Sequence, residues 1–138
     1  MAQSIHEVMT HDPVTVDVGA SLQETAKKMR DADTGAIIVT EQNRVRGILT
    51  DRDIVVRAVA DGRESSTRVG EVVSEELVSL SPRDSAERAV ELMRQHAVRR
   101  LPVIENDQPI GIVSIGDLAI ERDEQSALAD ISAAEPNR

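Results

Sequence analysis

The chain repeats itself at one fixed interval. Glu7-Val8 returns as Glu71-Val72, Val14 as Val78, Ser21 as Ser85, and Met29-Arg30 as Met93-Arg94. Val39 returns as Val103, Gly47-Ile48 as Gly111-Ile112, and Asp53 as Asp117. These ten identities share an offset of 64 positions (117 − 53 = 64) with no gap. Self-similarity at a single period marks a duplicated supersecondary unit, here over about residues 5–62 and 69–124. The expected organisation is repeat one over 1–62, a linker over 63–68, repeat two over 69–123 and a flexible tail over 124–138. Asp61-Gly62-Arg63-Glu64-Ser65-Ser66-Thr67 has the polar, glycine-containing composition of a connection.

Each copy reads as β-α-β-β-α. In the first, Val14-Thr15-Val16 is β-prone, and Ser21-Leu22-Gln23-Glu24 has the Ser-x-x-Glu spacing of a capping box. Leu22, Ala26 and Met29 then place one apolar face on a helix over 21–32. Ala36-Ile37-Ile38-Val39 has the continuous apolar character of a strand buried on both faces. A short polar turn leads to a second strand over Val45–Leu49, which predicts an antiparallel hairpin. Thr50 opens a last helix with Ile54, Val55, Ala58 and Val59 inward and Gly62 at its C-cap. In the second copy, Leu77–Leu80 is the first strand, and Asp84-Ser85 starts a helix with Ala86, Ala89, Val90 and Met93 on one face. Leu101–Ile104 and Ile110–Val113 form the hairpin, and Ser114 opens the last helix. Pro102 lacks a ladder donor, so its nitrogen is expected to face away from the partner strand. One such unit alone buries too small a share of its surface for stability. The expected fold is therefore α/β (α+β), two β-α-β-β-α repeats packed sheet to sheet about a pseudo-twofold axis.

Composition narrows the function. The net charge is −9, which opposes nucleic-acid binding because such affinity comes from neutralised phosphates. Phe, Tyr and Trp are absent, so no base can stack on a ring, and the core must be aliphatic. No apolar run approaches the roughly 20 residues of a membrane span. Without cysteine there are no disulfides, thiolate nucleophiles or cysteine-held zinc. With no secretory signal visible, a cytoplasmic protein is expected.

The strand-to-helix junctions carry the chemistry. They read Gly47-Ile48-Leu49-Thr50-Asp51-Arg52-Asp53 and Gly111-Ile112-Val113-Ser114-Ile115-Gly116-Asp117. Both fit Gly-h-h-[Thr/Ser]-x-x-Asp, with h apolar. Thr50 and Ser114 suit N-caps, with an acid three residues on. A hydroxyl, a carboxylate and the free N–H groups of a helix start also suit a ribose and its phosphate.

These junctions, the duplicated element order and the stretch Val98-Arg99-Arg100-Leu101-Pro102-Val103 resemble a tandem CBS-domain pair, or Bateman module, of the stand-alone bacterial type. The resemblance spans about residues 5–122. It implies a regulatory module with clefts between the sheets, many relatives binding adenosine derivatives: AMP, ADP, ATP, S-adenosylmethionine or dinucleotides. It assigns Asp53 and Asp117 to ribose hydroxyls and places Thr50 and Ser114 near ribose or phosphate. Backbone around Ala36-Ile37 and Leu101-Pro102 would hold the base edge, with Val16 and Leu80 as aliphatic walls. Arg99 and Arg100 fall where relatives often direct basic residues toward phosphates; surface ion pairing is the competing role. Repeat one has Gly35 and Ala36 at those places, leaving Arg52 as its local cation, and repeat two has Ile115-Gly116 for Asp51-Arg52. The two clefts are therefore expected to differ, one binding better. The resemblance also implies a homodimer formed through helices.

His6, His11 and His96 show neither the i, i+4 helical spacing nor a His-Glu-x-x-His stretch, so no metal site is expected. No hydroxyl nucleophile has a base or elbow motif evident beside it. The expectation is a ligand sensor with no catalytic residues and no cofactor, its partners being an adenosyl ligand and a second copy. The competing reading is a ligand-free, stress-related interaction protein that acts through its dimer surface.

Overall fold

The computed structural model describes residues 4–74 and 76–122. The tail over 124–138 lies outside the described residues. The chain forms two compact units that cut across its repeat order. The repeat-one unit contains Pro13–Leu77 and Asn106–Pro109. Among the described residues, the repeat-two unit contains residues 4–12, Val78–Glu105 and residues 110–122.

The arm that precedes each repeat is thus built into the other repeat's unit. In the repeat-two unit the arm forms α1 (Ile5–Val8) and β1 (Thr10–His11). Ile5 and His6 N–H groups donate to the carbonyls of Asp84 and Pro82 at 2.9 and 3.0 Å. In the repeat-one unit a 3₁₀ turn, Val69–Glu71, takes the matching place. Val69 and Gly70 N–H groups donate to Ala20 and Val18 carbonyls at 2.8 and 3.0 Å. All four positions correspond at the 64-residue offset, so the duplication extends to individual hydrogen bonds.

The sheet of the repeat-one unit has the order β2 (Thr15–Asp17), β3 (Ala36–Glu41), β4 (Arg44–Thr50). β2 runs parallel to β3, and β3 pairs antiparallel with β4. Gln42 and Asn43 join the hairpin, both at positive φ (52° and 65°), the two-residue type I′ geometry whose twist matches the strands. α2 (Leu22–Ala32) is capped by Ser21, whose hydroxyl accepts from Glu24 N–H at 3.0 Å. Its buried face is Leu22, Thr25 and Met29; Ala26, expected inward, is exposed. The helix tolerates Thr25 there because its hydroxyl bonds back to the Ser21 carbonyl at 2.9 Å.

The last helix of repeat one differs from expectation more strongly. α3 covers only Asp51–Asp53 and then widens to a π-helical stretch, Ile54–Val59. Ala60 N–H reaches Val55 O and Arg63 N–H reaches Ala58 O, both at 2.9 Å. Because i→i+5 bonding shifts the side-chain period, the helical face read from 3.6-residue spacing is lost. Ala58 is fully buried, whereas Val55 and Val59 are 59% and 66% exposed, correcting their inward assignment. Ala60, not Gly62, is the C-cap of the segment, and Gly62 turns the chain two residues later at φ 74°.

In the repeat-two unit β1, β6 (Gln108–Ser114) and β5 (Arg100–Glu105) lie side by side in that order. Asn106 and Asp107, which join β5 to β6 and are grouped with the repeat-one unit, repeat the type I′ turn at positive φ. α4 (Ala86–His96) is capped by Ser85, and α5 (Ile115–Arg122) follows β6. The expected strand over 77–80 shrinks to one parallel bridge, Leu80 to Val103. Two prolines shorten it: Pro82 lacks the donor that its counterpart Val18 gives to Thr40 O at 2.8 Å, and Pro102 lacks one at the other end. Ile38, the counterpart of Pro102, donates to Val14 O at 2.9 Å, beginning the β2–β3 ladder. Proline has no such donor, so its missing N–H faces the 78–80 segment, not away from every partner. Pairing begins later, with Leu80 N–H to Pro102 O at 3.0 Å and Ile104 N–H to Leu80 O at 2.9 Å.

Each unit has its own aliphatic core. One gathers Val16, Leu22, Met29, Ile37, Val39, Leu49 and Ala58 with Val69, Val72 and Val73 of the exchanged arm. The other gathers Leu80, Ala89, Met93, Leu101, Val103, Val113 and Leu118 with Ile5 and Met9 of its arm.

Candidate functional site

Both strand-to-helix junctions close into capping boxes of nearly equal geometry. Thr50 N–H donates to Asp53 Oδ2 at 2.9 Å, and Asp53 N–H donates to Thr50 Oγ1 at 3.1 Å. Ser114 N–H donates to Asp117 Oδ2 at 2.8 Å, and Asp117 N–H donates to Ser114 Oγ at 3.1 Å. Each box satisfies two backbone donors that the helix start would leave orphaned. Each occupies one carboxylate oxygen. The other oxygen of Asp53 lies 4.0 Å from Arg57 Nε.

In the repeat-one unit, strand register sets Ala36 opposite Thr50 and Ile37 opposite Leu49. Thr50, Asp53 and Ala36 therefore gather at one end of the hairpin, where Asp51 N–H donates to Gly35 O at 2.9 Å. The Asp51 carboxylate covers Gly35, so closely that a Cβ there would stand 3.1 Å from Oδ2. Thr34 Oγ1 binds the Ala36 backbone on both sides, donating to its O at 3.1 Å and accepting from its N at 3.3 Å. The backbone assigned to the base edge is thus already engaged. Val16 and Ile37 belong to the core, and Arg52 is exposed.

The repeat-two unit gathers its own set. Ile115 N–H donates to Arg99 O at 2.9 Å, the counterpart of the Asp51–Gly35 bond. Here an arginine stands where the other unit has glycine, and isoleucine where it has aspartate. Val98 replaces Thr34, so no hydroxyl occupies the Arg100 backbone. Arg99 is exposed and Arg100 half-buried. Neither guanidinium has a carboxylate partner among the described residues, which leaves the competing ion-pair role without a partner there. Leu80, Leu101 and Pro102 are almost fully buried.

Sequence reasoning overlooked a separate feature. A cavity of about 390 Å³ in the repeat-two unit is lined by His6, His11, Arg83 and Glu105, with Met9 and Ile110 among its apolar wall. It contains none of the residues assigned to the nucleotide. The signal in the sequence was a His-x₄-His spacing across a change from helix to strand, which a search for helical i, i+4 pairs passes over.

A CBS domain model matches residues 5–59 and again residues 69–123. The chain belongs to the CBS-domain family. Proteins built of such domains alone are typically regulatory rather than catalytic. The chain is 44% identical to the CBS domain-containing protein YhcV of Bacillus subtilis, covering 94% of this chain and 95% of that one. It is 31% identical to Hypoxic response protein 1 of Mycobacterium tuberculosis, over 92% of this chain and 90% of the relative. Among solved structures, the CBS domain protein PAE2072 from Pyrobaculum aerophilum, complexed with AMP, superposes with a TM-score of 0.79. That match is 25% identical and covers 93% of this chain and 99% of that one. Among the described residues no helix is long and apolar enough to cross a membrane.

Proposed function

We propose that this CBS pair is a cytoplasmic, non-catalytic regulatory module that binds an adenosine-containing ligand, of the AMP, ATP, NAD or S-adenosylmethionine class. Repeats 1–62 and 69–123, joined by 63–68, are its two sensing halves, and the repeat-two unit is the stronger site. The observation that carries this reading is the contrast between two otherwise matched junctions. At the Ser114–Asp117 junction the strand end that bonds to the helix start carries Arg99 and Arg100, neither with a carboxylate partner among the described residues. Around Thr50 and Asp53, a carboxylate covers the matching strand end and a threonine holds the backbone. An anionic phosphate is favoured by the first setting and opposed by the second. In each box one Asp oxygen remains outside the cap, able to accept from ribose hydroxyls. The AMP carried by the Pyrobaculum relative supports the ligand class.

Binding is passed on by a change in conformation or in a homodimer. Val55, Val56 and Val59 expose apolar surface along one helix, and Ile115 does so at the start of another, the kind of surface a second copy would cover. Titration calorimetry against AMP, ATP, NAD and S-adenosylmethionine tests the reading, using protein stripped of nucleotide. Heat is expected with at least one ligand, reduced by about tenfold or more in affinity by Asp117→Ala and little changed by Asp53→Ala. Absence of heat with all four would refute it.

The exposed valines also favour a second reading, an interaction protein of the stress response working through its dimer surface without ligand. The name of the mycobacterial relative points the same way. Absorbance separates the two readings, because a chain without Phe, Tyr or Trp is nearly transparent near 260 nm. A 260 nm band in protein purified without stripping reports nucleotide carried along and opposes the ligand-free reading.

A further inference from the structure

We propose that His6, His11 and Glu105 form a binding site for a divalent transition-metal ion of the zinc type, separate from the nucleotide site. α1 is a single turn, Ile5–Val8, and the chain then extends through Thr10–His11 to pair with β6. That reversal brings the two imidazoles to a centroid separation of 5.0 Å with their planes at 83°. Two histidines sharing a tetrahedral zinc, each nitrogen about 2.0–2.1 Å from the ion, have ring centroids about 5 Å apart. The observed spacing fits that geometry, which it shares with an ordinary edge-to-face ring pair. Both rings are exposed and line the same cavity as Glu105, so an ion can reach them from solvent.

Glu105 supplies the anionic oxygen that zinc accepts beside imidazole nitrogen. It ends β5, is exposed, and its carboxylate has no hydrogen bond or ion pair among the described residues. Arg83 lines the cavity too, yet lies beyond ion-pair range of Glu105 and does not hold it. Among the described residues no three ligating side chains are already grouped for a metal. The two imidazoles stand side by side on one cavity, and the site forms as their nitrogens and the Glu105 carboxylate turn onto the ion, with water completing the shell. Glu105 lies at the opposite end of β5 from Arg100, which keeps this site apart from the Ser114 junction. In the repeat-one unit Glu41 matches Glu105, but Gly70 matches His6 and Glu75 matches His11, so neither imidazole is repeated.

The chain's three histidines provide an internal control. Long-range ¹H–¹⁵N spectra of the untagged full chain would be followed during titration with zinc chloride. His6 and His11 signals should move together and saturate at one ion per chain, while His96 stays in place. His11→Ala should abolish saturation, and Glu105→Gln should weaken it by about tenfold or more, with far-UV circular dichroism unchanged in both. If His6 and His11 respond no more than His96, the rings are an edge-to-face pair and the assignment fails. Saturation at half an ion per chain with zinc-dependent dimerisation would also overturn it, since a second copy would then replace Glu105.

Discussion

The two units are built on one plan and differ at a few positions that alter what each can do. Their arms dock through two matching backbone hydrogen bonds each, to which one arm adds the strand β1 beside β6, and their junctions close into the same capping box. Yet one junction is covered by a carboxylate and the other is flanked by two arginines. One first strand pairs over three residues and the other makes a single bridge. Duplication thus preserved the backbone contacts that define the fold. Substitution at Gly35/Arg99, Thr34/Val98, Asp51/Ile115 and Ile38/Pro102 changed charge and hydrogen-bonding capacity while leaving those contacts intact.

The largest expected effect tests how tightly each arm is seated. At Gly111 a Cβ would stand 2.5 Å from Met9 Sδ and 2.8 Å from the Thr10 carbonyl. At Gly47 it would meet Val73 Cγ2 at 2.9 Å, with the nearest backbone atom at 3.4 Å. A side-chain methyl can shift; the backbone of a paired strand yields less readily. Gly111→Ala is therefore expected to cost about 3 kcal/mol and Gly47→Ala about 1 kcal/mol. Urea unfolding followed by circular dichroism reads both, and equal losses would mean that the arms are seated alike.

Next comes Ile38→Pro, which imposes the repeat-two solution on repeat one. It removes the donor to Val14 O and leaves that carbonyl without its strand partner. A loss of about 2 kcal/mol is expected, with faster amide exchange at Val18 and Thr40 as the β2–β3 ladder shortens. An unchanged exchange pattern would show that the proline does not set the length of that first strand.

Much of this comparison was legible in the sequence, for identifiable reasons. The offset, the caps at Ser21, Ser85, Thr50 and Ser114, and the hairpins rest on local chemistry that a few residues determine. The π-helical stretch was not legible, because 3.6-residue spacing fitted Ile54, Val55, Ala58 and Val59 well and only the hydrogen-bond pattern showed otherwise. The exchange of arms was hidden too, since Glu7-Val8 and Glu71-Val72 align equally well whichever unit receives them. At the candidate site the sequence exposed the Arg99-Arg100 asymmetry. The engagement of Ala36 by Thr34 depends on one side-chain direction, and the His6–His11 approach depends on a chain reversal; neither follows from residue type.

The caps give the third expectation. Thr50→Ala and Ser114→Ala each remove one acceptor from a helix start and should each cost about 1 kcal/mol, within a few tenths of one another. They should differ once an adenosyl ligand that binds is present. Ser114→Ala is expected to lower affinity by about tenfold, and Thr50→Ala to leave it within about twofold. Equal effects on affinity would make the two units equivalent sites despite their different charges.

The smallest effect on stability comes from Pro102→Ile, and it isolates one cause of the shortened strand. Isoleucine restores a donor facing Val78, worth about 1 kcal/mol net if the bond forms. It also gives up proline's restriction of the unfolded chain, which is worth about 0.4–1 kcal/mol in the opposite sense. The two nearly cancel, so the unfolding midpoint should scarcely move. Hydrogen exchange should nevertheless change: the new amide at 102 becomes protected and Leu80 gains protection as the single bridge extends into a ladder. Were that amide to exchange as fast as an exposed loop, the 78–80 segment would be held short by something other than the missing donor. The difference between the two first strands would then have to be traced to their other substitutions, beginning with Pro82, which lacks the donor that Val18 gives to Thr40.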